Sequence, residues 1–196
     1  MSFDSLFKFE EDLSKYTGAP YAIVTDGCTH ALELCLRYDK VTNCSMTAYT
    51  YISILMMLNQ LNIKVELIEE LWDGEYKLYG TRIWDSARKL HPKMYRKGMM
   101  QCLSFGHGKN LQLGKCGAIL TDDLDAYIWL SKARSDGRDL RISPWQKQEF
   151  FDQGYHYCPT LEVCEMGSKK LQLTNTKTKF INYPDLRKIN FTKETI

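Results

Sequence analysis

The chain has 196 residues, 44% of them hydrophobic and 26% charged, and a formal net charge of +2. These proportions belong to an ordinary globular domain and exclude a largely disordered chain. No apolar run approaches the roughly 20 residues of a membrane-spanning helix, and the balanced charge gives no reason to expect a nucleic-acid partner.

In chain order, apolar residues at Phe9, Leu13 and Tyr16 share one face and predict a helix near 7–16. Runs near 21–25, 43–46, 64–68, 80–84, 100–104 and 116–120 predict strands. Helical patterns fall near 28–38, 51–61, 123–135 and 160–172. Such alternation predicts an α/β fold of three layers, α/β/α, with a mostly parallel central sheet and a ligand site at the strand carboxyl ends. Asp122 and Asp123 read as an N-cap and a complement to the helix dipole. The loop from Gly137 to Gly154 is long enough to bind a ligand or a second subunit. The expected division is a domain over 1–173 and a polar tail over 174–196. Within that tail, Tyr183-Pro184-Asp185-Leu186 reads as an arm that docks on another subunit.

Three segments carry the chemistry. Ser104-Phe105-Gly106-His107-Gly108-Lys109 places a lysine in a glycine-rich turn between two apolar strands. A partly desolvated lysine has a lowered pKa and can form a Schiff base with an aldehyde cofactor; the alternative is a solvated turn lysine. Arg82-Ile83-Trp84-Asp85 reads as a buried strand ending in an acid, a position suited to a protonated ring nitrogen. Gly27-Cys28-Thr29 precedes a helix whose free N–H groups and dipole make a phosphate seat, although Thr29 could simply cap the helix.

Other residues read more plainly. Trp72 and Trp84 are expected to pack rather than to stack on substrate. Arg134, Arg138 and Arg141 are expected on a solvated face, or else as a diphosphate clamp, and His107 as a turn histidine or a ligand contact. Seven cysteines at irregular spacing and four scattered histidines point to reduced thiols in a cytoplasmic setting, with no metal expected. The amino terminus, Met1-Ser2-Phe3-Asp4, lacks the basic and apolar regions of a secretion signal.

The order of these segments resembles the DegT/StrS group of fold-type I, pyridoxal-phosphate-dependent sugar aminotransferases. The matching stretches include Leu13 to Ala22, Thr25 to Leu32, Thr47 to Ser53, Asp85-Ser86-Ala87, Ser104-Phe105 with Lys109-Asn110-Leu111, Asp136-Gly137-Arg138 and Gly154 to Tyr157. The resemblance implies pyridoxal 5′-phosphate as cofactor, with Lys109 and Asp85 as the catalytic pair. Lys109 would hold the cofactor and move a proton, and Asp85 would pair with the pyridine nitrogen. Tyr51 would stack on the ring, and Cys28, Thr29 and Ser104 would bind the phosphate. Arg88 stands where the group often has Gln or His near the ring oxygen. His156 stands where it has an asparagine that reaches the neighbouring subunit's phosphate.

The resemblance therefore implies a homodimer with shared active sites, a nucleotide-linked keto-sugar or related small carbonyl as substrate, and glutamate as amino donor. It also implies a short member without the usual C-terminal domain. That shortness motivates two alternatives: other pyridoxal-phosphate chemistry such as sugar dehydration, or a non-catalytic binding or assembly protein on the same fold.

Overall fold

The computed structural model describes residues 2–174, 176–177 and 182–189. Helix α1 (Asp4–Thr17) ends at Gly18, whose φ of +79° supplies the left-handed turn that glycine adopts without strain. Strand β1 (Tyr21–Thr25), α2 (Cys28–Tyr38), β2 (Asn43–Thr47), α3 (Ile52–Gln60) and β3 (Lys64–Ile68) follow. After them come β4 (Tyr76–Lys77), β5 (Ile83–Asp85), β6 (Met100–Ser104), β7 (Gly117–Thr121), α4 (Leu124–Ala133) and α5 (Leu161–Lys170). Asp123 caps α4 by accepting the Ala126 N–H at 3.0 Å, as its position before an apolar helix predicts.

Alternation along the strands creates two cores. Ile23, Cys102 and Ile119 face Ala31 and Leu32 of α2 and Leu130 of α4. Val24, Leu103, Ala118 and Leu120 face Leu6, Phe9 and Leu13 of α1 and Cys164 of α5. Leu32 and Leu13 are both fully buried, and burial of such a side chain is worth about 1.5–3 kcal/mol. Helices thus cover both sides of the sheet, giving the three layers expected.

The sheet itself is mixed, which corrects the expectation of a mostly parallel one. Its order is β1-β7-β6-β5-β4, with β2 and β3 forming a separate parallel pair. Among the described strands three of the five pairings are antiparallel: β1 with β7, β6 with β7, and β4 with β5. A parallel neighbour needs a crossover, usually helical. The connection from β6 to β7 contains no helix, so the chain turns back and β7 runs against β6. The single strand expected near 80–84 is also a hairpin. Gly80, at φ +84°, turns the chain between β4 and β5. Among the described residues no helix is long and apolar enough to cross a membrane.

Candidate active site

Asp85 stands at the carboxyl end of β5 and is 4% exposed. Tyr76, its direct partner across the antiparallel ladder, donates its hydroxyl to Oδ2 at 2.8 Å. The Ala87 N–H donates to Oδ1 at 2.9 Å, and the Cys28 thiol lies 3.9 Å from the same oxygen. The Thr50 and Tyr76 hydroxyls are 2.8 Å apart and complete the chain of donors. Burial pushes the Asp85 carboxyl above its ordinary pKa, against the Ala87 N–H, the Tyr76 hydroxyl and the charge of Lys109. A buried carboxylate in this state favours a cationic ligand that restores its charge balance.

Beside it lies the start of α2. No side chain caps this helix at Gly27, so its first-turn N–H groups and positive dipole end favour an anion. Thr29 does not cap; its hydroxyl lies 2.8 Å from that of Ser53 in the first turn of α3. The approach of α2 to the sheet requires a glycine on β7. A Cβ at position 117 would sit 2.5 Å from the Cys28 nitrogen and 2.9 Å from the Leu103 oxygen. Ser104, the last residue of β6, reaches the same cavity.

Lys109 is delivered by the loop between β6 and β7. Phe105 N–H to Cys116 O at 2.9 Å and Leu113 N–H to Phe105 O at 2.7 Å close the base of this loop. Phe105, Leu111 and Leu113 are buried and hold it against the α1 side of the sheet. Gly108 and Gly114, both at positive φ, provide its turns. Lys109 is half-buried, and burial lowers its pKa from the ordinary lysine value; Asp85 and Cys28 oppose the shift and Arg88 adds to it.

Seven residues singled out in the sequence line one cavity of about 440 Å³: Cys28, Thr29, Tyr51, Asp85, Arg88, Ser104 and Lys109. His107 is there too. Tyr51 remains 61% exposed at its edge, and Arg88 is 6% exposed within it. His156 lies elsewhere: its side chain is 89% exposed and bonded to Asp136 at 3.0 Å. Arg134 is not on a solvated face. It is 1% exposed and ion-paired with Glu10 of α1. With Arg138 and Arg141 it borders a different cavity that shares no residue with the first.

Trp72 does more than pack, because it lines the cavity while its Nε1 donates to Tyr49 O at 2.6 Å. Trp84 does not line it; the Arg96 guanidinium lies 4.2 Å from its ring centroid. Four contributors were given no role at the site by the sequence reading: Thr50 and Ser53, which lie in the matching stretch Thr47 to Ser53, Tyr183, read as part of a docking arm, and Tyr76, not singled out at all. Tyr76 could have been found from the hairpin register, and Ser53 from its place in the first turn of α3. Beneath the site, Glu75 binds Ser86 at 2.9 Å, Lys89 at 2.5 Å and Arg96. Burial pushes Glu75 up, but Arg96, Lys89 and Ser86 outweigh it and hold the carboxyl below its ordinary pKa.

A family model, the DegT/DnrJ/EryC1/StrS aminotransferase family, matches residues 3–71. No curated protein matches the chain in sequence. Among solved structures, the Helicobacter pylori aminotransferase PseC, involved in the biosynthesis of pseudoaminic acid, is similar with a TM-score of 0.70 at 16% identity. That match covers 86% of this chain and 57% of PseC. DesV of S. venezuelae, solved in complex with a ketimine intermediate, gives 0.69 at 17% identity, covering 86% of this chain and 56% of DesV. AtS13 of Actinomadura melliaura gives 0.71 at 15% identity, over 86% and 59% of the two chains. The fold is therefore that of the fold-type I pyridoxal-phosphate aminotransferases, and the chain spans a little over half the length of these structures.

Proposed function

We propose that the chain is a pyridoxal-phosphate-dependent aminotransferase that takes an amino group, from glutamate, to a nucleotide-linked keto-sugar or a related small carbonyl compound. The observation that carries this reading is the convergence of Asp85, Lys109 and the uncapped start of α2 on one cavity. Each suits a different part of the cofactor: Asp85 would hold a protonated ring nitrogen, Lys109 an aldehyde carbon, and the helix end a phosphate.

When bound, the cofactor supplies an electron sink that lets a proton leave the carbon bearing the amino group. Asp85, supported by Tyr76 and Ala87, holds the ring nitrogen protonated, which its burial makes favourable. Lys109, partly desolvated, has its amine more readily neutral than an exposed lysine, so it can attach the cofactor and later accept and return a proton. Cys28, Thr29 and Ser104 would bind the phosphate, Tyr51 would stack on the ring, and Arg88 would serve its oxygen substituent, since all five line the one cavity. His156, exposed and away from this chain's own cavity, is assigned to a second subunit's phosphate in a homodimer. The exposed aromatic residues Trp145 and Phe150 in the 137–154 loop suit contact with that subunit.

The test is to incubate the protein with pyridoxal phosphate, reduce with borohydride, and locate the mass added by the reduced cofactor. A single adduct on Lys109, absent in Lys109→Ala, is expected, and glutamate should bleach the visible band of the unreduced protein. No adduct at any cofactor concentration would overturn the reading. An adduct without bleaching by glutamate would keep the cofactor and remove transamination.

A further inference from the structure

The cavity has a wall that comes from far along the chain. Tyr183 lines it together with Cys28 and Thr29 of α2 and Ile54 of α3. Its ring stacks on Trp72, with centroids 5.8 Å apart and planes at 17°. Its hydroxyl is hydrogen-bonded to Arg88, and burial raises its pKa while Arg88 lowers it. Tyr183 therefore touches two cavity residues, one through its face and one through its hydroxyl.

The segment behind it is seated rather than draped. Leu186 is 2% exposed and belongs to the core beneath α2 and α3. Its N–H donates to Ala48 O at 2.9 Å, one residue beyond β2. Asp185 accepts the Arg187 N–H at 3.0 Å, and Arg187 reaches Glu69 at 3.4 Å, one residue beyond β3. A buried anchor, a backbone bond and an ion pair thus hold 182–189 against the β2–β3 edge, with Tyr183 projecting over the cavity.

We propose that residues 182–189 form a latch over the cofactor cavity and that Tyr183 sets the size of the second molecule admitted. With the latch down, the cavity of about 440 Å³ lies at the lower end of the roughly 300–1,000 Å³ typical of small-molecule pockets. That space suits the cofactor with an amino acid. A nucleotide-linked sugar needs Tyr183 to leave Trp72. The two half-reactions then differ in latch position: down for the amino donor, lifted for the larger carbonyl substrate. The latch breaks no covalent bond; lifting it undoes the Tyr183–Trp72 stack, the Tyr183–Arg88 hydrogen bond, the Leu186 N–H to Ala48 O bond and the Arg187–Glu69 ion pair. The substrate half of this inference rests on the proposed aminotransferase reading, and the closure of the latch does not.

The test separates them. Hydrogen exchange at the Leu186 amide reads closure without any cofactor: slow exchange is expected in the wild type, speeded at least about tenfold in Tyr183→Ala. Binding of glutamate and of UDP-glucose to the pyridoxal-phosphate-loaded protein reads size selection. Tyr183→Ala should bind UDP-glucose at least about tenfold more tightly than wild type, with glutamate affinity within twofold. Tyr183→Phe, which keeps the ring and its stack, should exclude UDP-glucose as wild type does. Rapid Leu186 exchange in the wild type overturns the latch, and so does UDP-glucose binding that Tyr183→Ala leaves unchanged or weakens. If the wild type takes up no pyridoxal phosphate, the aminotransferase reading fails and the Leu186 exchange result alone decides the latch.

Discussion

Tyr76 and Asp85 face each other across the β4–β5 hairpin, and the tyrosine hydroxyl donates to the carboxylate at 2.8 Å. The acid is held in a low-dielectric site by neutral donors, the Tyr76 hydroxyl, the Ala87 N–H and the Cys28 thiol. Its raised pKa means that the folded chain binds a proton there before the unfolded chain does. Cofactor-free stability therefore falls as pH rises from the ordinary carboxylate range through the raised folded value, and stays lower above it. Asp85→Asn should abolish this dependence and raise the cofactor-free melting temperature at pH 7, while weakening retention of pyridoxal phosphate. Thermal melts across pH check it; an unchanged or lower melting temperature at pH 7 counts against the prediction.

Gly117 lets α2 reach the sheet. Gly117→Ala places a methyl 2.5 Å from the Cys28 nitrogen and 2.9 Å from the Leu103 oxygen, both backbone atoms that cannot swing aside. We expect a loss of about 1–3 kcal/mol, typical of overpacking, measured as a lower urea midpoint. Cofactor affinity should fall as well, because the first turn of α2 is the part displaced. Wild-type stability in the variant would show that α2 can retreat freely.

Arg134 and Glu10 form an ion pair in the interior, 1% and 7% exposed at their side chains. Glu10→Met strands a buried guanidinium and should cost about 3–5 kcal/mol. The pair Glu10→Met with Arg134→Met should recover at least half of that in urea unfolding, since the uncompensated charge is gone. Additive losses in the double variant would contradict this account.

The thiols differ in access. Cys158 is partly exposed, and the other six cysteines are buried. Burial pushes Cys44 up to about 11 and Cys164 up to about 12, and Cys28 well above its ordinary value. The thiolate is the nucleophile, so brief iodoacetamide treatment of the native protein at pH 7.5 (a choice on the order of physiological pH) should modify Cys158 first. Peptide mass mapping reads the outcome; early modification of Cys28 would mean that the α2 start opens readily.

What was legible in the sequence is what local patterning governs. Strand runs such as Tyr21–Thr25 and Met100–Ser104, and the apolar face of α1, need only their own residues, so the three-layer α/β reading followed from them. Asp85 was legible because it ends such a run, Lys109 because a lysine in a glycine-rich turn follows one, and Thr29 because it stands in the first turn of a helix. The strand directions were not legible, since the β6–β7 return depends on how one loop packs, not on the strands it joins.

The sequence by itself determined the elements, the chemical types at their ends and the order in which those ends occur. Only the tertiary structure decided which residues meet. Tyr76 supports Asp85 through hairpin register, Arg134 finds Glu10 across a separation of 124 positions, and Tyr183 comes from the polar tail to stack on Trp72. Of the tail expected to dock on another subunit, residues 182–189 pack on this chain's own β2–β3 edge, and residues 175, 178–181 and 190–196 lie outside the described residues. Burial and long-range pairing depend on the packed whole, whereas propensity acts within a few residues. The part of the cavity wall formed by Tyr183 and Trp72 therefore comes from a contact that no local pattern encodes.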